Sequence, residues 1–168
     1  MNFEEILKQI QNVSKKEIKR VLPTEINQIK KIIIESNPRD VYEKMVLGYL
    51  TSLCAEYMYP HTFILERNDL DYVGFELDGG NIEVRTAGDM LGSCMKSGKI
   101  IVKKAGNETG KSMMGGEITA GEIKSIGSTI DGKISTEKAD NISKHQGAKI
   151  IIKGVRYKRS ILDRILGN

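Results

Sequence analysis

The residues of this chain that could do chemistry are few: Cys54, Cys94, His61 and His145. A zinc site needs four nitrogen, sulfur or carboxylate donors brought together, usually from closely spaced pairs. The two cysteines stand far apart and form no C-x-x-C, so no zinc-ligand spacing exists. His145, beside Lys144, is the one candidate general base. No nucleophile stands next to it in the sequence, and it reads as a solvated turn residue.

A second candidate is the segment Ala105-Gly106-Asn107-Glu108-Thr109-Gly110-Lys111-Ser112. It nearly satisfies the phosphate-binding pattern G-x-x-x-x-G-K-S, with alanine for the first glycine, and it follows a run that reads as a strand. Such a loop must open a helix whose first amides face the phosphates. Met113-Met114-Gly115-Gly116 follows instead, a poor first helical turn. The same frame also appears earlier in the chain as Ala87-Gly88-Asp89-Met90-Leu91-Gly92-Ser93, without the lysine. A nucleotide binder is therefore the weakest of the functions considered.

Basic pairs at Lys15-Lys16, Lys30-Lys31 and Lys103-Lys104, with a cluster from Arg156 to Arg159, raise the question of nucleic acid. Acidic residues are interleaved with them, and the formal charge is only +4 (26 basic, 22 acidic) at a pI near 9.0. Nucleic-acid binders concentrate basic residues on one face. These clusters read as solvated surface.

The elements that hold such residues are bounded by composition. At 168 residues and 18.7 kDa the chain is one domain or one domain with a small attachment. With 29% charged and 39% hydrophobic residues it is neither a disordered tail nor a membrane protein. The start, Met1-Asn2-Phe3-Glu4-Glu5, lacks the apolar stretch of a signal peptide. The longest aliphatic run is Ile32-Ile33-Ile34. A reducing cytoplasm is the expected compartment, in which the sequons at Asn12, Asn107 and Asn141 carry no meaning.

Glycine and proline divide the chain near residue 60. Of 17 glycines, all but Gly48 and Gly167 lie between Gly74 and Gly154, while Pro23, Pro38 and Pro60 all lie in the other half. The first part predicts helices. Phe3, Ile6, Leu7 and Ile10 line one helical face, and Ser14-Lys15-Lys16-Glu17 has capping-box form ahead of Ile18, Val21 and Leu22. Pro23 ends that helix, and Ile26, Ile29 and Ile33 mark the next. Asn37-Pro38 offers an N-cap and first-turn proline for the strongest helix, whose apolar positions run from Tyr42 through Met45, Val46, Tyr49, Leu50, Leu53 and Cys54 to Tyr57.

The second part repeats itself. Ile82, Ile100, Ile118, Ile134 and Ile150 recur at a nearly constant step that shortens slightly in the last two intervals, and each follows a glycine or alanine by two positions. At the step of the first two intervals, Ala87-Gly88 recurs at Ala105-Gly106, Gly92 at Gly110, Met95 at Met113, and Cys94 at Ser112, which makes Cys94 a small wall residue of the repeat. Helical repeats cannot carry this much glycine, at about 1 kcal/mol per interior position. Short β-branched runs between glycine turns at constant period predict the coils of a parallel β-helix, stacked at about 4.8 Å with the isoleucine column inside. Both ends of such a rod expose unpaired backbone and need covers. The amino-terminal helices and the amphipathic tail from Val155 to Leu166, with Ile161, Leu162, Ile165 and Leu166 on one side, are available for that.

These residues carry a resemblance. Asp71-Tyr72-Val73-Gly74 with Leu77-Asp78-Gly79-Gly80, then Ala87-Gly88 with Gly92, and Ala105-Gly106 with Gly110 and Met113-Met114-Gly115-Gly116, resemble the GXGXG domain. That domain forms most of one subunit of formylmethanofuran dehydrogenase and the carboxy-terminal part of the large glutamate synthase subunit. The likeness runs roughly from residue 70 to residue 154, about half the chain. Ser97 and Asp131 each replace one glycine of a pair, the later coils are slightly shorter, and Gly147-Ala148 is altered. The helices from 1 to 58 lie outside it. What the resemblance implies is a scaffold, with flavin, iron–sulfur clusters and molybdenum or tungsten cofactors held by other domains or subunits.

The sequence thus predicts an α+β chain in three parts: a helical module over 1–59, a small right-handed parallel β-helix of about five coils over 60–154, and a cap or tail over 155–168. It assigns no catalytic, cofactor-binding or metal residue and no cofactor. The expected role is a non-catalytic structural subunit or assembly platform of a cytoplasmic oxidoreductase complex, resembling the GXGXG subunit of formylmethanofuran dehydrogenase. A free-standing GXGXG subunit of a split glutamate synthase is one alternative, and a homo-oligomer of coils stacked end to end is another. Expected partners are protein subunits of a redox complex or further copies of the chain, not membrane or nucleic acid.

Overall fold

The computed structural model describes residues 1–158, in which helices lead into a parallel β-solenoid of about five turns. The helices are α1 (Phe3–Gln9), α2 (Lys15–Val21), α3 (Ile26–Glu35) and α4 (Val41–Met58). The strands are β1 (Thr62–Leu65), β2 (Asp78–Thr86), β3 (Ser97–Ala105), β4 (Glu117–Ile126), β5 (Lys133–Ile142), β6 (Lys149–Ile152) and β7 (Val155–Arg156). They form one sheet in sequence order, parallel from β1 to β6 and antiparallel at β7.

The repeated isoleucines form one buried column, as their spacing predicts. Ile82 pairs with Ile100, Ile100 with Ile118, Ile118 with Ile134, and Ile134 with Ile150, each no more than 1% exposed. Burying each is worth roughly 1.5–3 kcal/mol. The column also has a head that the period did not reveal: Phe63 of β1 stacks on Ile82, slightly out of step with the isoleucines. Between β2 and β3 the register shifts once, from Asp78 to Asn81, before the isoleucines align. The glycine two positions before each of the first isoleucines is a backbone requirement. Gly98 has φ +96°, and a Cβ there would stand 2.5 Å from the Gly80 carbonyl oxygen of the adjacent rung.

Helix α4 fits between layers. From Val46 to Ala55 it is buried all round, because α2 and α3 cover one side and the first coil the other. Its apolar stripe is therefore core, continuous with the solenoid interior. Gly48 and Gly80 allow the close approach: a Cβ on the first would meet the Tyr72 carbonyl at 2.6 Å, and on the second the Ala55 backbone at 2.7 Å.

Two local expectations are corrected. The start of α4 is capped by Asp40, which accepts from the Glu43 amide at 2.8 Å, so Asn37-Pro38 precedes the helix rather than opening it. Ser14 caps the Glu17 amide at 3.3 Å, but Glu17 turns to Arg20 and the Gln11 amide, so the reciprocal half of that capping box is missing. The complete box is at Asn2 and Glu5. Lys153-Gly154 turn the chain back, and β7 pairs with Ile151 and Ile152. The remainder of the expected cap, with Ile161, Leu162, Ile165 and Leu166, lies outside the described residues.

Candidate functional site

The coil corners set the backbone that any site on this molecule must use. In the first three coils, alternate residues are left-handed: Tyr72, Gly74 and Glu76; Met90, Gly92 and Cys94; Glu108, Gly110 and Ser112. Only the middle residue of each trio is glycine. The others accept a conformation costing an L-residue about 1–2 kcal/mol. Cys94 is thus a wall residue, as the repeat predicts, and burial raises its thiol pKa. Cys54 is fully buried in α4, with its thiol pushed up to about 11 by desolvation.

The segment from Ala105 to Ser112 has no amides left for a phosphate. Gly106, Gly110 and Lys111 donate to the carbonyls of Gly88, Leu91 and Glu108. The Asn107 amide donates to Asp89 Oδ1, the Glu108 amide to Ser125 Oγ, and those of Thr109 and Ser112 to the Ser125 and Ser128 carbonyls. Lys111 Nζ pairs with Glu108 at 3.0 Å. A turn and then β4 follow, with no helix for the loop to open. The amides that would cradle an anion are already engaged within the coils.

That stacking exposes a ladder that sequence reading missed. Asp71 Oδ1 accepts from the Asp89 amide and Asp89 Oδ1 from the Asn107 amide, both at 2.7 Å. A Cβ on Gly88 would lie 2.1 Å from the Asp71 oxygen, and on Gly106 2.4 Å from that of Asp89. The glycine of each Ala-Gly pair is there to admit a carboxylate. The signal was present in the equal spacing of Asp71, Asp89 and Asn107. Lys44 Nζ joins Asp71 at 2.8 Å, which ties α4 to the ladder and raises the lysine pKa.

A second polar group lies where α4 meets the first coil. Lys15 Nζ reaches Glu56 Oε1 at 2.5 Å and the Glu76 carbonyl at 2.8 Å. Glu56 also accepts from the Asp78 amide, and the Tyr49 hydroxyl donates to Glu76 Oε1 at 2.6 Å. Desolvation, reinforced by that bond, raises the Tyr49 pKa far above its ordinary value. Thr51 Oγ1 accepts from the Gly74 amide at 3.0 Å and Ser52 Oγ donates to the Phe75 carbonyl at 2.8 Å. Together these side chains satisfy the backbone edge that the first coil would otherwise expose. Their arrangement is a cover for the rod's end.

His145 is not the solvated turn residue that the sequence suggested. It bridges Thr129 in the adjacent coil, lies 5.8 Å ring to ring from Tyr157, and its Nδ1 is buried without a hydrogen-bond partner. His61 is exposed beside β1. Among the described residues no three of His, Cys, Asp and Glu gather as a metal-binding group, and no helix is long and apolar enough to cross a membrane. Of the basic residues on the solenoid wall, Lys104, Lys133 and Lys138 pair with Glu122, Glu117 and Asp140.

Comparison with protein-family models, with curated proteins and with solved structures finds no match to this chain.

Proposed function

We propose that this chain is a non-catalytic structural subunit, an assembly platform of an oxidoreductase complex similar in role to the GXGXG subunit of formylmethanofuran dehydrogenase. The observation that carries the reading is the alternation of left-handed residues at the corners of three successive coils. A backbone that turns left-handed at positions i, i+2 and i+4 makes the demand a G-x-G-x-G sequence meets with glycine. In each trio of this chain only the middle residue is glycine, so the trios support the reading through backbone shape.

A second observation supports a platform over an end-to-end polymer. The first coil's edge is taken up by Thr51, Ser52 and Glu56 of α4, so one of the two surfaces needed for coil-on-coil stacking is occupied within the chain. What the rod presents outward is its walls, and a wall of fixed rungs holds partner domains in fixed register.

Affinity purification of the tagged chain from its native cells tests this. The expected result is stoichiometric recovery of subunits that bind flavin, iron–sulfur clusters, molybdenum or tungsten. Recovery of a flavin and iron–sulfur synthase without molybdenum or tungsten would favour the split glutamate synthase form of the reading. A chain that elutes with no redox subunit contradicts both.

A further inference from the structure

We propose that the outer face of the β1–β6 sheet is a homodimer interface, occupied by a second copy of this chain lying antiparallel across it. The face consists of three outward columns. Its centre runs through Ile64, Glu83, Ile101, Thr119, Ser135 and Ile151, which the strand register aligns. Ile64 is 62% and Ile101 51% exposed, so the chain itself leaves this spine open.

The charges on either side select the occupant. A two-fold axis parallel to the strands, passing between β3 and β4, lays each column over itself and reverses the rung order. Lys99 of β3 then faces Glu117 of β4 in the other copy, which Lys133 already engages within its own chain, and Arg85, one residue past the aligned Val84, faces Glu137, one residue past the aligned Thr136. At the ends Ile64 meets Ile151, with Glu66 and Lys153 just beyond them. No like charges are opposed on the face, and each pair occurs twice. An axis along the stack instead would oppose Lys99 to Lys103 and Glu83 to Glu83, against the pairing of Lys133 with Glu137 and the self-contacts of Ile64 and Ile101. Charge pattern therefore specifies one self-complementary arrangement and penalises the other.

Six rungs at about 4.8 Å and five residues at about 3.3 Å make a face of roughly 25 by 17 Å. That footprint, about 850 Å² over both copies, falls below the roughly 1,000 Å² of a stable specific interface, so the dimer is a weak one. Affinity then depends on the charge pairs more than on apolar area, and salt weakens it.

The test uses the purified full-length chain alone, so it is independent of whether a redox partner exists. Sedimentation equilibrium of the wild type should show a monomer–dimer equilibrium that weakens as salt is raised. Arg85→Glu sets a glutamate against Glu137 at both ends of the interface and should weaken the dimer by at least about tenfold. Arg85→Glu combined with Glu137→Arg restores the pairs in reverse and should bring the dissociation constant back to near the wild-type value. Circular dichroism of each variant should match wild type, since both side chains are exposed. A wild-type chain that is monomeric at every accessible concentration overturns the proposal. So does a dimer indifferent to Arg85→Glu, or one that the double exchange fails to restore.

Discussion

The left-handed corners of the coils are held by glycine at some positions and by other residues at others, and mutation separates the two cases. Gly92 has φ +63°, and a Cβ there would stand 2.6 Å from Ile118 Cδ1, so Gly92→Ala meets both backbone strain and a clash. Chemical denaturation should show a loss of about 2 kcal/mol. Ser112 occupies the outer left-handed position of its trio at φ +56°. Ser112→Gly should therefore stabilise by roughly 0.5 kcal/mol, the strain relieved exceeding the entropy added to the unfolded chain. Glu43 is a residue-scale case of pH linkage. Its buried carboxylate accepts from the Arg39 guanidinium and amide, which lowers its pKa below the ordinary 4.5. A depressed carboxylate contributes stability above its unfolded pKa and loses it as pH falls through the folded one. Glu43→Gln should thus cost about 1 kcal/mol at pH 7, and the gap to wild type should close as pH falls through the lowered pKa of the folded state, read from denaturation midpoints across pH. The glycine corners were legible in the repeat, but left-handed non-glycine residues and a pairing of a buried carboxylate with an exposed arginine leave no compositional mark.

At the scale of elements, the period of the isoleucines was legible and the covers were not. Ile82 to Ile150 share a type and nearly a spacing, so repetition alone placed them on one column. Phe63 differs in type, sits out of period and follows no glycine pair, so β1 was invisible until the register showed it. The cap on the first coil was hidden for a different reason. Thr51, Ser52 and Glu56 look like minor polar interruptions of an apolar helix, and only the tertiary fold aims them at the amides and carbonyls of Gly74, Phe75 and Asp78. Their role predicts an asymmetric effect. Thr51→Val keeps the helix and its volume but orphans the Gly74 amide, at a cost of about 1–3 kcal/mol in thermal or denaturant unfolding. Hydrogen exchange should then accelerate at Gly74 and its neighbours more than at the distant β4. Uniform acceleration across the sheet would contradict a cap that acts on one edge.

For the molecule as a whole, the same backbone hydrogen bonding that builds the rod closes the candidate nucleotide loop. Adding ATP and magnesium should leave the thermal midpoint unchanged, because the amides from Gly106 to Ser112 already serve the coils. A shift of several degrees would mean that the loop can reorganise and would reopen catalysis. The α+β division and the repeat were readable from the sequence, since composition changes where the architecture changes. The half-buried setting of His145 and the Asp71–Asp89–Asn107 ladder were not, because each depends on which residues the coils bring one above another. In-register stacking is thus the claim on which the scaffold, the closed loop and the dimer face all depend, and cysteine cross-linking measures it directly. Lys104 and Glu122 are register partners on adjacent rungs, and Lys138 is one rung further. In a chain with Cys54 and Cys94 replaced by alanine, the pair Lys104→Cys and Glu122→Cys should oxidise to an intramolecular disulfide. The pair Lys104→Cys and Lys138→Cys, roughly 9–10 Å apart at the backbone and beyond the reach of about 7 Å, should not. Equal cross-linking of both pairs, or of the second alone, would contradict the stacked solenoid.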